Sequence, residues 1–181
     1  MSATALSVPT GTWNVDPSHS EVGFQVKHMG IATVKGKFKE FQGSLTIAED
    51  GTATATGTVQ VASVDTNEAQ RDEHLRSADF FDAATHEQIA FTSTKIEAVD
   101  DETFKIHGDI TIHGITKPIT LEAVVEGSDV DPWGNTRVGL SVTGQINRSD
   151  FEMKFNQALG SGNMLVSDKV KLTLDISAVK A

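Results

Sequence analysis

The chain has 181 residues, enough for one domain with its own hydrophobic core. Its formal net charge of −10 argues against binding to nucleic acid and against electrostatic docking on anionic membranes. It has no cysteine, which excludes disulfides and thiolate chemistry and fits a reducing compartment.

The N-terminal segment predicts neither a signal nor a membrane anchor. Residues 1–10 contain no basic residue and no apolar stretch of the kind found in secretory signals. No apolar run in the chain approaches the length of a membrane span. We therefore expect a disordered lead-in at residues 1–11, a single domain at residues 12–181 and a cytoplasmic location.

The next stretch alternates apolar and polar residues, as strands with one buried face do. A short strand and a turn precede a strand in which Phe24 and Val26 share one face. Between residues 33 and 47 the apolar positions change parity near Lys39 and Glu40. This change predicts one long strand bent by a β-bulge.

One segment carries the signals of a helix, predicted at about residues 67–77. Asn67 is a good N-cap type, and Gln70 stands three residues later, where a capping-box partner belongs. Phe80 and Phe81 follow the helix directly. A short polar helix that ends in two adjacent aromatic residues indicates a lid at a barrel mouth, or else a helix that plugs the barrel end with a small apolar cluster.

The rest of the chain returns to alternation, most cleanly at Phe104, Ile106, Gly108, Ile110 and Ile112. In total about eight or nine antiparallel strands with short turns are indicated. So many strands in one domain are expected to close, because closure removes exposed sheet edges. We predict an all-β fold, an antiparallel barrel of eight strands.

Small residues recur at the inward positions of these strands. They leave space for a ligand inside the barrel, although a glycine within a strand also marks a bend. The residues are Gly36, Gly43, Ala53, Ala55, Gly57, Gly108, Ala123 and Gly144.

Several longer motifs stand in order between about residues 12 and 179. They read WNVDPSHS from Trp13, FQVKHMG from Phe24, VKGKF from Val34, SVDTNEAQRDEHLRSADFF from Ser63, IHGITKP from Ile112, NRSDF from Asn147 and VSDKV from Val166. In this order and spacing they resemble the YceI-like family of lipocalin-shaped, polyisoprenoid-binding proteins.

The resemblance implies an extended, lipocalin-like barrel that holds a long amphiphilic tail, with the short helix near its mouth, and it suggests a homodimer. Family members are often periplasmic, whereas this chain shows no signal. Glu87 stands where the family usually has proline, and Glu152 where it usually has glycine. The negative charge of Glu152 near the expected mouth disfavours a pyrophosphate headgroup.

The inward positions are the candidates for the tail site. A buried tail needs only apolar contact, at about 0.8 kcal/mol per buried carbon, and ordinary core packing is the alternative for each residue. The candidates are Phe24, Val26, Phe38, Val59, Val61, Leu75, Phe80, Phe81, Phe91, Ile110, Ile112, Leu140, Ile146, Phe151 and Phe155.

A headgroup needs hydrogen-bond donors at the mouth, and an arginine fork suits a phosphate or a quinone carbonyl. For Arg71 and Arg148 a structural role is favoured, in which they pair with Asp65, Asp79 or Asp150 and hold the helix on the barrel. The headgroup candidates are Arg71, His74, Arg76, Arg148 and Lys154.

The six histidines do not predict a metal site. His107 and His113 lie about 20 Å apart along one strand, too far to share an ion. His28 and His74 can meet at one end, with His19 as a third member. Zinc needs three or four convergent ligands, however, and the chain has no tight His-x-His or His-x3-His pair.

Enzymatic signals are weak. The chain has no Gly-x-Ser-x-Gly elbow and no phosphate-binding loop. Asp16, Ser18 and His19 are the residue types of a catalytic triad, but so tight a local spacing seldom gives triad geometry. We expect a binding protein with no cofactor other than a bound isoprenoid-type lipid.

The leading prediction is a protein that carries, stores or sequesters a polyisoprenoid, an isoprenoid quinone or a fatty amphiphile in its barrel. One alternative is a barrel enzyme acting on such a lipid, with His74 or His28 as acid or base. Another is an empty-barrel, stress-related interaction module.

Overall fold

The computed structural model describes residues 7–161 and 164–181, in which eleven strands form a single sheet. The described residues also contain one α-helix and three short 3-10 turns. The strands and the helix are β1 Gly11–Val15, β2 Glu21–His28, β3 Ala32–Phe38, β4 Phe41–Ile47, β5 Ala53–Gln60, β6 Val64–Asp65, α1 Ala69–Arg76, β7 Gln88–Ala98, β8 Thr103–Ile112, β9 Ile115–Val130, β10 Thr136–Asn147 and β11 Val166–Lys180.

These strands occupy eight positions around a closed antiparallel barrel, as the alternation predicts. β1 and β2 share one position, because both pair with β11. β3 and β4 share the next, since β3 pairs with β2 and β4 with β1. β5, β7, β8, β9, β10 and β11 complete the ring, and the two-residue β6 adds to the edge of β3.

The parity change at Lys39 and Glu40 is a break between strands, so the prediction of a bulge in one continuous strand is wrong. Phe38 ends β3 and is paired with Val22, whereas Phe41 begins β4 and is paired with Val59. A bulge inserts a residue opposite the same neighbouring strand. Here the chain changes its neighbours, and the two residues between leave the ladder.

The helix is shorter than predicted and begins later, at Ala69. Its N-cap is Glu68, whose carboxylate accepts hydrogen bonds from the backbone N–H groups of Gln70 and Arg71. Asn67 has a left-handed backbone, φ 63°, and does not cap. The expected capping box is therefore replaced by one carboxylate that satisfies two of the free N–H groups of the first turn.

One end of the barrel, here called the mouth, carries the longer connections. The segment between β5 and β7, which contains α1, lies there, as do the two-residue turn between β8 and β9 and the segment between β10 and β11. No helix in the described part of the chain is both long and apolar enough to cross a membrane.

The opposite end, here called the base, is closed by packed side chains. Trp13 is fully buried among Leu45, Phe104 and Ala178. Its indole N–H donates to the carbonyl of Pro9, which satisfies the one polar atom of the ring.

The start of the chain joins this packing. Val8 is 3% exposed and belongs to the core at the base, and β1 already begins at Gly11. The disordered lead-in expected at residues 1–11 therefore does not extend to residues 8–11, which belong to the barrel. Residues 1–6 lie outside the described part of the chain.

Candidate ligand-binding site

The barrel encloses an elongated cavity of about 490 Å³. It is lined from Trp13 and Ala178 near the base to His28 and His74 at the mouth. Along β11 its lining extends from residue 166 to residue 178, which is about 40 Å of strand at 3.3 Å per residue. The lining is overwhelmingly apolar, because it consists of the inward faces of the strands. The interior is thus an apolar channel closed at one end.

Most of the tail candidates lie in the wall of this channel. Val61 and Phe151 do not, although they are 1% and 2% exposed. Each belongs to a 3-10 turn, at Val61–Ser63 and Arg148–Phe151, where the strand alternation that predicts an inward side chain no longer holds. The candidates in the wall are Phe24, Val26, Phe38, Val59, Leu75, Phe80, Phe81, Phe91, Ile110, Ile112, Leu140, Ile146 and Phe155.

The inward glycines play two different parts. A Cβ at Gly108 would stand 2.6 Å from the ring of Phe91, and Gly36 is covered in the same way by the ring of Phe24. Those two glycines make room for aromatic rings of this chain. Gly43 and Gly57 instead line the channel, so only part of the small-residue signal corresponds to open space.

The aromatic residues after α1 form part of the lid. The Phe81 ring packs edge-on against Phe38, with centroids 5.8 Å apart. The Phe80 ring lies 5.3 Å from that of Phe155. Both adjacent phenylalanines line the channel, and they do so by reaching opposite sides of it.

His74 is the histidine of this lid. Its Nε2 lies 2.8 Å from a carboxylate oxygen of Asp79, and its ring packs edge-on against Phe80 and Phe155 at 5.0 and 4.8 Å. Two aromatic neighbours and one carboxylate therefore hold the imidazole at the channel mouth.

Arg71 and Arg76 hold the lid segment together. Arg71 donates to both the hydroxyl and the carbonyl oxygen of Thr66, and Arg76 donates to the carbonyl of Ala62. The structural role expected for Arg71 is present, but its partner is Thr66 instead of a carboxylate. Arg71 lines the channel and Arg76 does not.

Arg148 organises the segment between β10 and β11. It is 6% exposed, and its guanidinium donates to four backbone carbonyls, those of Met153, Phe155, Val166 and Ser167. Arginine has five N–H donors, so one remains. None of the ion pairs among the described residues involves Arg148, and burial lowers the pKa of its guanidinium.

Arg148 also lines the channel. A buried positive charge without a carboxylate partner gains from an acceptor atom placed beside it. Lys154, by contrast, pairs with Glu152 at 2.8 Å and does not line the channel.

The comparison with known families is decisive. A model of the YceI-like domain matches residues 13–178. The chain belongs to the YceI-like family.

Known YceI-like proteins cover nearly the whole molecule. Protein YceI of Escherichia coli O157:H7 is 41% identical over 164 residues, which span 90% of this chain and 82% of that protein. The crystal structure of Burkholderia cenocepacia BcnA superposes with a TM-score of 0.78 at 22% identity, covering 90% of this chain and 98% of that one. A polyisoprenoid-binding domain from Saccharophagus degradans superposes with a TM-score of 0.67 at 15% identity, covering 93% and 98%.

One departure from the YceI-like pattern has a backbone explanation. Glu152 adopts φ 59°, in the left-handed region that glycine tolerates best. Glycine at this position relieves strain, and this chain has a charged residue there instead.

The histidines do not group as their sequence positions indicate. His28 and His74 line the channel mouth, but His19 lies at the base, where its Nδ1 contacts the carboxylate of Asp16 at 2.8 Å. The hydroxyl of Ser18 contacts the same ring nitrogen at 3.1 Å. A catalytic triad places the serine on the other nitrogen, so these three residues do not form one.

Sequence reasoning missed one cluster. Asp82, His86 and His113 come together beside the mouth, outside the channel. The search for histidine pairs alone passed over the Asp-x3-His spacing of the first two residues, and the third is brought in by the barrel.

Proposed function

We propose that this barrel binds a long amphiphilic lipid and acts as a carrier or storage protein. The observation that supports this most directly is the closed-ended, apolar channel of about 490 Å³. A self-filled barrel of this size has no such space. The shape suits a single extended hydrocarbon chain.

The volume sets the length of chain that fits. At about 30 Å³ for a methylene-sized group, close to the volume share of one water molecule, the channel holds roughly 15 carbons, or about three isoprene units. At ~0.8 kcal/mol per buried carbon, that chain contributes about 12 kcal/mol before association costs. A longer chain would leave its remainder at the mouth.

The relatives favour an isoprenoid chain. The Saccharophagus degradans domain with the same fold is described as polyisoprenoid-binding. Its identity to this chain is low, so it supports a class of ligand only. A polyisoprenoid, an isoprenoid quinone and a fatty amphiphile all present the apolar tail that the channel accommodates.

The polar end of the lipid would lie at the mouth, where Arg148 and His74 face the channel. The remaining N–H of Arg148 suits a carbonyl, hydroxyl or phosphate oxygen. Arg71 also lines this region, while Arg76 and Lys154 lie outside it. We therefore assign the headgroup contact to Arg148 and His74 first.

An enzyme acting on the same lipid is the second candidate. It rests on the pairing of His74 with Asp79, since a carboxylate that orients an imidazole is a common feature of general bases. His74→Ala separates the two functions. A carrier retains its lipid after this change, whereas an enzyme keeps binding and loses turnover.

The first experiment is native mass spectrometry of freshly purified protein, followed by organic extraction of whatever is released. A stoichiometric long-chain lipid is the expected result. The matched variant is Gly57→Leu, because a Cβ at Gly57 meets only the Gln42 carbonyl, at 3.5 Å, so the added side chain has room to enter the channel. Thr54→Leu, on the outer face of the same strand, is the control.

The two variants make the outcome clear. Loss of the lipid in Gly57→Leu and its retention in Thr54→Leu support binding in the channel. A lipid that both variants retain would be bound elsewhere. A lipid-free protein that also fails to bind added prenyl quinones would instead indicate an empty-barrel interaction module.

A further inference from the structure

Three metal-ligating side chains meet just outside the channel mouth. One ligand atom each from Asp82, His86 and His113 lies within 4.8 Å of the other two. All three residues are half-buried. Asp82 and His86 belong to the loop between α1 and β7, and His113 to the turn between β8 and β9. The fold therefore brings ligands together from two separate segments.

Two of these side chains have no other partner. Within residues 7–161 and 164–181, the carboxylate of Asp82 and the ring nitrogens of His86 make no hydrogen bond and no ion pair. The His86 ring contacts only the His113 ring, with centroids 4.9 Å apart. Half-buried polar groups normally find partners in the fold. Here they remain available to an added ligand.

The tautomer of His113 suits metal binding. Its Nδ1 lies 2.8 Å from the carbonyl oxygen of Phe151. Because a carbonyl only accepts, Nδ1 must carry the proton, which leaves the lone pair of Nε2 free. A metal-bound histidine in proteins almost always donates its other N–H in this way, to a carbonyl or a carboxylate.

The backbone holds two of the three residues in unusual conformations. His113 has φ 56° and Gly114 has φ 74°, the signature of a two-residue type I′ turn, which favours asparagine, aspartate or glycine at its first position. Asp82 has φ 50°. Non-glycine residues in this region are uncommon and tend to cluster at functional sites.

We propose that Asp82, His86 and His113 bind a divalent transition-metal ion, with Zn²⁺ as the best fit. Two imidazoles and a carboxylate are a known zinc ligand set that leaves the fourth position to water. The imidazoles disfavour Mg²⁺ and Ca²⁺, which take oxygen ligands.

The residues need only a small adjustment to reach zinc geometry. Tetrahedral ligands at 2.0–2.1 Å from zinc are about 3.4 Å from one another, so ligand atoms as far apart as 4.8 Å must approach by about 1 Å. Asp82 and His86 break no hydrogen bond in doing so.

The ion would connect the lid to the barrel wall. Phe81 directly precedes Asp82, Ile112 directly precedes His113, and both Phe81 and Ile112 line the channel. A bound metal thus joins the loop that carries the lid aromatics to the hairpin behind them. The site does not require that the channel hold a lipid.

The test is calorimetric titration of Zn²⁺ into protein freed of metal with EDTA, with Co²⁺ absorption as a second probe of the ligand set. One Zn²⁺ per chain is expected. Asp82→Asn and His86→Ala should each weaken binding by more than the roughly 10–100-fold typical of changes next to a metal ligand. Two controls should bind as the parent does: His107→Ala on the outer face of β8, and His74→Ala at the channel mouth.

The results divide cleanly. The site is refuted if Zn²⁺ does not bind, if Asp82→Asn and His86→Ala bind as tightly as the parent, or if His74→Ala removes the binding. Asp82→Asn preserves side-chain size, so it serves as the test if His86→Ala fails to fold. Zn²⁺ should also raise the Tm of the parent and of His107→Ala, through ligand linkage, and leave that of Asp82→Asn unchanged.

Discussion

Gly36 lies directly beneath the ring of Phe24, its cross-strand partner between β2 and β3. A Cβ at position 36 would overlap the ring, so glycine is required there by contact rather than by backbone conformation. Phe24 in turn lines the channel. This pair links a strand position that looks like empty space in the sequence to the shape of the cavity.

Gly36→Ala should therefore lower the free energy of unfolding by about 1–3 kcal/mol, the usual cost of overpacking. Gly57→Ala is the matched control, because its added Cβ meets only ordinary van der Waals contact, and it should change stability by less than ~1 kcal/mol. Urea unfolding measures both. Equal effects from the two substitutions would contradict the contact argument.

The length of the channel should appear in a series of prenyl alcohols of ten, fifteen and twenty carbons. Affinity is expected to rise by at least about tenfold from ten to fifteen carbons, because each added buried carbon contributes, and then to level off once the channel is full. Titration calorimetry or fluorescence displacement measures the series. A steady rise through twenty carbons would show that the channel is longer than its volume indicates.

Arg148→Lys should destabilise the protein by roughly 2–4 kcal/mol. Lysine replaces a planar fork with a single ammonium, which cannot reach four carbonyls on separate residues, and each buried carbonyl left unpaired costs about 1–3 kcal/mol. Arg76→Lys, which loses one exposed bond to Ala62, should cost under ~1 kcal/mol. The comparison is made by urea unfolding, and similar losses would argue against the network.

Glu152→Gly should stabilise the protein by about 1 kcal/mol, because it removes a side chain from a left-handed backbone position. The exposed pair with Lys154 that it deletes contributes little. The control is Asp101→Gly, in an exposed turn with a negative φ, which should lose stability because the unfolded chain gains freedom. A loss in both variants would contradict the strain argument.

Arg137 determines the response of the base to acid. It pairs with Asp16 and Asp131, each at 2.8 Å. The arginine, with help from His19 and Ser18, holds the pKa of Asp16 well below its usual range. Burial opposes ionisation of Asp131, yet hydrogen bonds from Arg137 and the backbone of Asn135 lower its pKa to about 2.

Both carboxyl groups have lower pKa values folded than unfolded, so their contribution is complete above about pH 4 and is lost as the pH falls towards 2. Arg137→Met should raise both pKa values and move acid unfolding to a higher pH, as followed by circular dichroism. Lys95→Met, in an exposed pair with Glu97, is the control. An unchanged midpoint in Arg137→Met would overturn this assignment.

Local pattern was enough to predict the barrel and most of its lining. In β8, Phe104, Ile106, Ile110 and Ile112 are all buried, because side chains of a strand alternate between faces whatever the strand pairs with. The same rule failed at Val61 and Phe151, where 3-10 turns interrupt the alternation.

Partner choice was decided by the closed barrel. Whether residues 39 and 40 form a bulge or a break depends on which strands lie alongside, and only the assembled sheet determines that. Arg148 carries a charge that suggests a carboxylate, but the fold places four free carbonyls around it.

The sequence by itself therefore determined the alternation, the number of strands and the apolar character of the interior, all of which follow from short-range geometry. The tertiary structure decided which polar groups meet. Asp82 and His86 are close through one loop, but His113 joins them only because closure of the barrel brings the β8–β9 turn beside that loop. Contacts between distant segments depend on the whole topology, which no local pattern contains.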